Sequence, residues 1–189
     1  AFEAGRITAL EARALGIHVN FAPVADVNNN PRNPVINTRS FGEDPAMVAR
    51  LAAAYVRGLT DGGMIATVKH FPGHGDTDVD SHLALPIIRA RRERMDSVEL
   101  VPFRAAIDAG IRGIMSAHIA VPGISGGYLP STLSGRVLDD LLRSELGFDG
   151  IVFTDAMDMT AVNRLYPRGE ASVIALLAGA DVILMPPDV

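Results

Sequence analysis

Apolar positions along the chain recur in two alternating rhythms. Spacings of three and four predict a helix over residues 3–15, with Ile7, Leu10, Ala14 and Leu15 on one side. A second helix is predicted after Asp44 and Pro45, an N-cap followed by proline at the first helical position. Its stripe is Val48, Leu51, Ala52, Tyr55, Val56 and Leu59, and Gly62 and Gly63 end it. A third is predicted over 96–109, with Pro102 marking a break or a new first turn. A fourth follows Ser134 through Val137, Leu138, Leu141, Leu142 and Leu146, and a short one covers 169–178. Between them, apolar runs at 17–22, 64–69, 113–117, 150–154 and 181–185 predict strands. They do not alternate cleanly, as befits parallel strands covered on both faces.

Strand and helix alternate throughout, which defines an α/β protein with a parallel sheet. Five strands suit either a small doubly wound sheet or the last five units of a (β/α)8 barrel of the TIM type. In both folds chemistry gathers at the carboxyl ends of the strands. Polar residues accumulate there: Asp26 and the asparagines at 28–30, Lys69 and His70, Ser116 and His118, Thr154 and Asp155. The amino ends carry Gly16, Gly63, Gly113, Gly150 and Ala180, which read as turn and packing residues. No linker or shift of composition divides 1–189, so a single domain is expected.

Composition narrows the function classes. With 48% hydrophobic and 21% charged residues in 189, the chain has the make-up of a folded domain rather than a disordered one. Mean hydropathy is +0.22, yet no apolar run nears the roughly 18 residues that span a bilayer. The first fifteen residues carry Glu3, Arg6, Glu11 and Arg13, unlike a secretory leader, and the chain does not open on Met, which suggests a fragment or a processed form. A net charge of −5 argues against a nucleic-acid partner, and the basic cluster at 89–94, interrupted by Glu93, reads as a solvated helix start. The absence of cysteine excludes disulfides and thiolate chemistry but leaves the compartment open between bacterial cytoplasm and export.

The densest chemistry lies at 69–82, Lys-His-Phe-Pro-Gly-His-Gly-Asp-Thr-Asp-Val-Asp-Ser-His, with three of the five histidines and three aspartates in a loop that leaves a strand end. This string is similar to the signature of family 3 glycoside hydrolases, and most closely resembles their β-N-acetylglucosaminidase, NagZ-like branch. Three further segments carry the resemblance: 21–27 (Phe-Ala-Pro-Val-Ala-Asp-Val), 37–42 (Asn-Thr-Arg-Ser-Phe-Gly) and 153–157 (Phe-Thr-Asp-Ala-Met). The likeness runs from about Leu10 to Met185.

The resemblance implies a (β/α)8 barrel and retaining hydrolysis of terminal β-linked N-acetylglucosamine, from peptidoglycan fragments or chitooligosaccharides, through a covalent glycosyl-aspartate. Asp155 would be the nucleophile; the alternative reading is a helix N-cap, with a helix from Ala156 onward. His82 would be the general acid/base and Asp80 its partner, a carboxylate favouring the imidazolium. Arg39, Lys69 and His70 match sugar-binding positions. Asp26 stands either as a holder of Arg39 or another loop donor, or as a substrate contact. His118 either lines the pocket or is a satisfied core histidine; His74 and Asp76 shape the loop, and His18 is structural. No metal or cofactor is expected, and the partner is a carbohydrate.

The family barrel has eight strands, and this chain is expected to supply the last five. The first three, with an acidic loop that contributes a sugar-binding aspartate, would lie outside it. A truncated catalytic domain with two open sheet edges is therefore expected, and with it weak activity of the 189-residue piece alone. Competing readings are an inactive or sugar-binding remnant, β-glucosidase specificity, and a metal-dependent barrel hydrolase using His70, His74, His82 or His118.

Overall fold

The computed structural model describes residues 1–167 and 169–187. Five parallel strands, β1 (Val19–Asn20), β2 (Ile65–Phe71), β3 (Gly113–Ser116), β4 (Ile151–Ala156) and β5 (Val182–Leu184), form one sheet in the order β1-β2-β3-β4-β5. A doubly wound sheet reverses its strand order at a switch point, whereas each strand here lies beside its successor, as in the wall of a (β/α)8 barrel. The order therefore decides between the two architectures that the sequence allowed. β1 and β5 are the sheet's two edges, and exposed Leu15, Ile17 and Phe21 flank one, Leu176, Leu177 and Met185 the other.

The helices are α1 (Phe2–Ala14), α2 (Pro45–Asp61), α3 (Arg92–Ser97), α4 (Val101–Asp108), α5 (Pro122–Ser125), α6 (Thr160–Asn163) and α7 (Glu170–Leu177). α2 begins where Asp44 and Pro45 predict it, and the Asp44 carboxylate accepts the Met47 N–H at 2.7 Å. The helix expected over 96–109 is two helices. The break falls between Ser97 and Val101, and Pro102 sits in the first turn of α4, where its missing N–H costs nothing. The segment Arg136–Glu145 winds as a wide π-helix, its end marked by the Leu146 N–H donating to the Leu141 carbonyl five residues back. Val137, Leu138, Leu141 and Leu142 still point inward, so the stripe read from the sequence holds although the winding differs.

β1 is shorter than the apolar run 17–22 suggests. It pairs with β2 only at Val19↔Ile65 and Asn20↔Ala66, then meets Pro23, which has no N–H, and returns to β2 through Val24↔Lys69. β4 is longer: it continues through Ala156, and the next helix starts only at Thr160. Asp155 is thus a strand residue and not a helix N-cap.

The core lies between the sheet and α2, α4 and the wide helix. Val56, Leu59, Val68, Phe71, Phe103, Ile114, Leu138 and Val152 are all fully enclosed. Phe71 and Phe103 meet edge to face at 5.3 Å, and burying each such ring contributes about 1.5–3 kcal/mol. α1 crosses α2 so closely that a Cβ at Gly58 would overlap the Phe2 carbonyl oxygen.

Candidate active site

Two of the strands break register where their polar residues sit. β2 pairs Lys69↔Met115 and Phe71↔Ser116, leaving His70 as the extra residue, and β4 places three steps from Phe153 to Ala156 against two on β5. Such bulges re-aim side chains beside functional sites. In this case consecutive Lys69 and His70 both reach one cleft, where strict alternation would send them to opposite faces. The cleft, about 510 Å³, also takes in Arg39, His82 and Asp155, with Phe21 in its wall. A somewhat larger hollow of about 610 Å³ lies at the amino ends of the strands, between Ile65, Arg112 and Asp181. There Asp181 is occupied by Arg143 and the Val152 N–H, and serves the framework.

Asp155 Oδ1 accepts the N–H of its own neighbour Ala156 at 2.8 Å. The Lys69 ammonium makes no hydrogen bond or ion pair with the described residues. Burial and the Arg39 charge lower its pKa, against the opposing pull of Asp155 and Asp26. Arg39 is exposed and donates to the Val35 carbonyl at 3.2 Å. Two cations therefore converge on a cleft that holds one carboxylate, an arrangement that orients hydroxyl oxygens around an electrophilic carbon.

His82 stands on the rim, its side chain 61% exposed. Its Nδ1 lies 2.7 Å from Asp80 Oδ1, which also accepts the His82 backbone N–H at 2.8 Å. The Leu83 and Ala84 N–H groups donate to the Asp80 carbonyl, closing the turn that carries the pair. Burial raises the Asp80 pKa, but the hydrogen bonds and charge of His82 outweigh it and hold the carboxyl below its ordinary range.

Asp26 and His118 do not line the cleft. Asp26 is fully enclosed, and it holds loop donors rather than Arg39: the His74 N–H at 2.7 Å, the His70 N–H at 3.1 Å and His70 Nδ1 at 2.8 Å. A carboxylate buried under so many donors has nothing left for substrate. His118 is likewise enclosed: Nε2 donates to the Ala156 carbonyl at 2.9 Å, and Nδ1 lies 3.0 Å from the Thr132 hydroxyl. Burial lowers its pKa and keeps the ring neutral, so it braces the backbone beside Asp155. Among the described residues no three His, Asp or Glu side chains gather as a metal ion requires.

His74 ties the loop together. The Thr77 hydroxyl donates to the His74 carbonyl, so His74 Nδ1 donates to Thr77 Oγ1 at 2.9 Å; Nε2 accepts from Ser81, next to the dyad, at 3.0 Å. Burial drives its pKa down to about 4. Asn33, between Pro31 and Pro34, is a hub for the same loop. Its amide nitrogen donates to the carbonyls of His74 and Gly75 and to Thr77, and its oxygen accepts from the N–H groups of Val35 and Ile36. Gly75 passes so close to Val27 that a Cβ would overlap the Val27 carbonyl.

A parallel sheet whose strands follow one another in chain order, with a polar cleft at their carboxyl ends, defines the chain as part of a (β/α)8-type barrel. It belongs to glycosyl hydrolase family 3, whose N terminal domain it matches over residues 1–189. The beta-hexosaminidase A of Pseudoalteromonas piscicida is 42% identical over 187 residues, 93% of this chain and 31% of that protein. The beta-N-acetylglucosaminidase/beta-glucosidase of Cellulomonas fimi is 39% identical over 190 residues, 96% of this chain and 34% of that one. Among solved structures, the family 3 beta-N-acetylglucosaminidase of Paenibacillus sp. str. FPU-7 superposes with a TM-score of 0.95 at 54% identity, covering 97% of this chain and 35% of its own. The chain thus spans about a third of the length of these relatives.

Proposed function

We propose that this chain is the catalytic part of a retaining β-N-acetylglucosaminidase that removes terminal β-linked N-acetylglucosamine. The observation that supports it most is the opening of Asp155 and the Asp80-held His82 onto one cleft, between the cations of Arg39 and Lys69. In the first step a carboxylate oxygen of Asp155 attacks the anomeric carbon while His82 Nε2 gives its proton to the departing oxygen. The glycosidic bond breaks and a glycosyl-aspartate ester forms. In the second, neutral His82 takes a proton from water, the water oxygen attacks the same carbon, and Asp155 leaves as a carboxylate. Asp80 accepts from Nδ1 throughout, which directs Nε2 to the reaction. Arg39, Lys69 and His70 hold the sugar.

The test uses the full-length protein with 4-nitrophenyl β-N-acetylglucosaminide, and the β-glucoside in parallel, since the Cellulomonas relative is named for both activities. The expected result is turnover of the N-acetylglucosaminide with retention. Asp155→Ala should lower kcat by several orders of magnitude as the covalent route disappears. Equal rates in wild type and Asp155→Ala would exclude Asp155 as the nucleophile.

A further inference from the structure

Beneath the cleft lies a second aspartate–histidine pair. Asp26 is 0% exposed and His70 only 5%. One carboxylate oxygen accepts the backbone N–H groups of His74 and His70, at 2.7 and 3.1 Å; the other faces His70 Nδ1 at 2.8 Å. Backbone N–H groups only donate, so they fix Asp26 as an acceptor. The His70 backbone N–H also reaches the second oxygen, at 3.3 Å, so both carboxylate oxygens face donors. An ionised Asp26 has no proton to give, so the short contact to Nδ1 requires the proton to sit on the ring nitrogen.

The other nitrogen of His70 has no hydrogen-bond partner among the described residues and is not one of the enclosed orphan atoms; the ring lines the cleft. We infer that Asp26 is a positioning residue that fixes the His70 proton on Nδ1 and so presents Nε2 to the cleft as an acceptor for a sugar hydroxyl proton. This rests on the glycosidase reading of the cleft. Chemically it supplies what the two cationic side chains of this cleft lack. Arg39 and Lys69 can only donate, and Asp155 is engaged with the anomeric carbon. A sugar hydroxyl is both donor and acceptor, and a cleft of cations would satisfy its lone pairs but not its proton. Adjacent Lys69 and His70, brought to one face by the β2 bulge, present a donor and an acceptor side by side. The His74 N–H also binds Asp26, yet its ring turns away to Thr77 and Ser81, so only His70 has its polarity set by this carboxylate.

The deciding measurement is the ¹⁵N spectrum of the full-length protein labelled at histidine, with the His70 signals assigned by their loss in His70→Gln. The expected pattern is a protonated, pyrrole-type Nδ1 and an unprotonated, pyridine-type Nε2. A proton on Nε2, alone or together with Nδ1, overturns the inference. In Asp26→Asn the amide oxygen keeps the two backbone N–H groups and its nitrogen turns a donor toward Nδ1, so the two signals should exchange character. If that variant does not fold, the wild-type spectrum alone decides.

The functional readout uses substrates with one sugar hydroxyl at a time replaced by fluorine, which accepts but cannot donate. At one position the wild type should lose on the order of tenfold in kcat/KM, and folded Asp26→Asn should lose clearly less there. Equal penalties in both proteins would overturn the inference. A wild type without glycosidase activity would instead remove the proposed function, and the ¹⁵N spectrum would still settle the Asp26–His70 pairing.

Discussion

His82 is held at both ends of one short turn by a single oxygen of Asp80, which lies 2.7 Å from the imidazole Nδ1 and 2.8 Å from the His82 backbone nitrogen. The double contact fixes the direction of the ring while leaving Nε2 on the open side of the cleft. His82 lowers the Asp80 pKa, so the carboxylate is protonated at a lower pH than that of a free aspartate.

His82→Ala should slow substrates with poor leaving groups far more than activated aryl glycosides, since only the former need a proton. Asp80→Asn should act in the same direction, less severely, because the ring loses the acceptor that directs Nε2 to the cleft. Steady-state kinetics on two aglycones across pH measure both. Equal slowing of the two substrate classes in His82→Ala would assign His82 to binding.

His74 predicts an acid sensitivity of the fold. Its folded pKa is depressed from the ordinary 6.5 to about 4 by burial, so its contribution is complete above pH 6.5. Stability should fall by about 3 kcal/mol as pH drops from there through about 4, because only the unfolded chain takes up the proton. Urea unfolding at pH 7.5 and 4.5 should show the loss, and His74→Gln should flatten it.

Glu99 acts with the opposite slope. It is fully buried beneath Gly73, and burial raises its pKa although Arg94 and Asn29 donate to Oε1 at 2.9 and 3.2 Å. A raised acid stabilises below its unfolded value of 4.5 and loses that contribution as pH rises through the folded one. Glu99→Gln should therefore gain on the wild type between pH 4 and 7, measured by denaturant unfolding. A constant difference across that interval would contradict the assignment.

Asn33→Ala removes the donor to two loop carbonyls and the acceptor of two N–H groups in a site only 3% exposed. A loss of about 3 kcal/mol is expected, on the order of 10 °C in Tm. Glycosidase activity should fall with it, because the same loop carries Ser81 and His82.

Much of this molecule was legible in one dimension. The two periodicities located the strands and the main helices, Asp44 and Pro45 placed the start of α2, and the string at 69–82 led to the family. These signals are local: a helix stripe, a cap or a motif needs only neighbours in sequence to be recognised. The sheet order needed the fold, because a doubly wound sheet and a barrel wall are written with the same alternation of strand and helix. The break ahead of α4 and the π winding of Arg136–Glu145 depend on hydrogen-bond geometry that apolar spacing does not encode. Asp26 and His118 sit at strand ends like the cleft residues, and only depth separates them: their partners, His70 at 44 residues' separation and the Ala156 carbonyl at 38, are brought near by tertiary packing. Asn33 was silent for the same reason, since the loop carbonyls it satisfies lie about forty residues away and a buried polar hub is defined by what surrounds it.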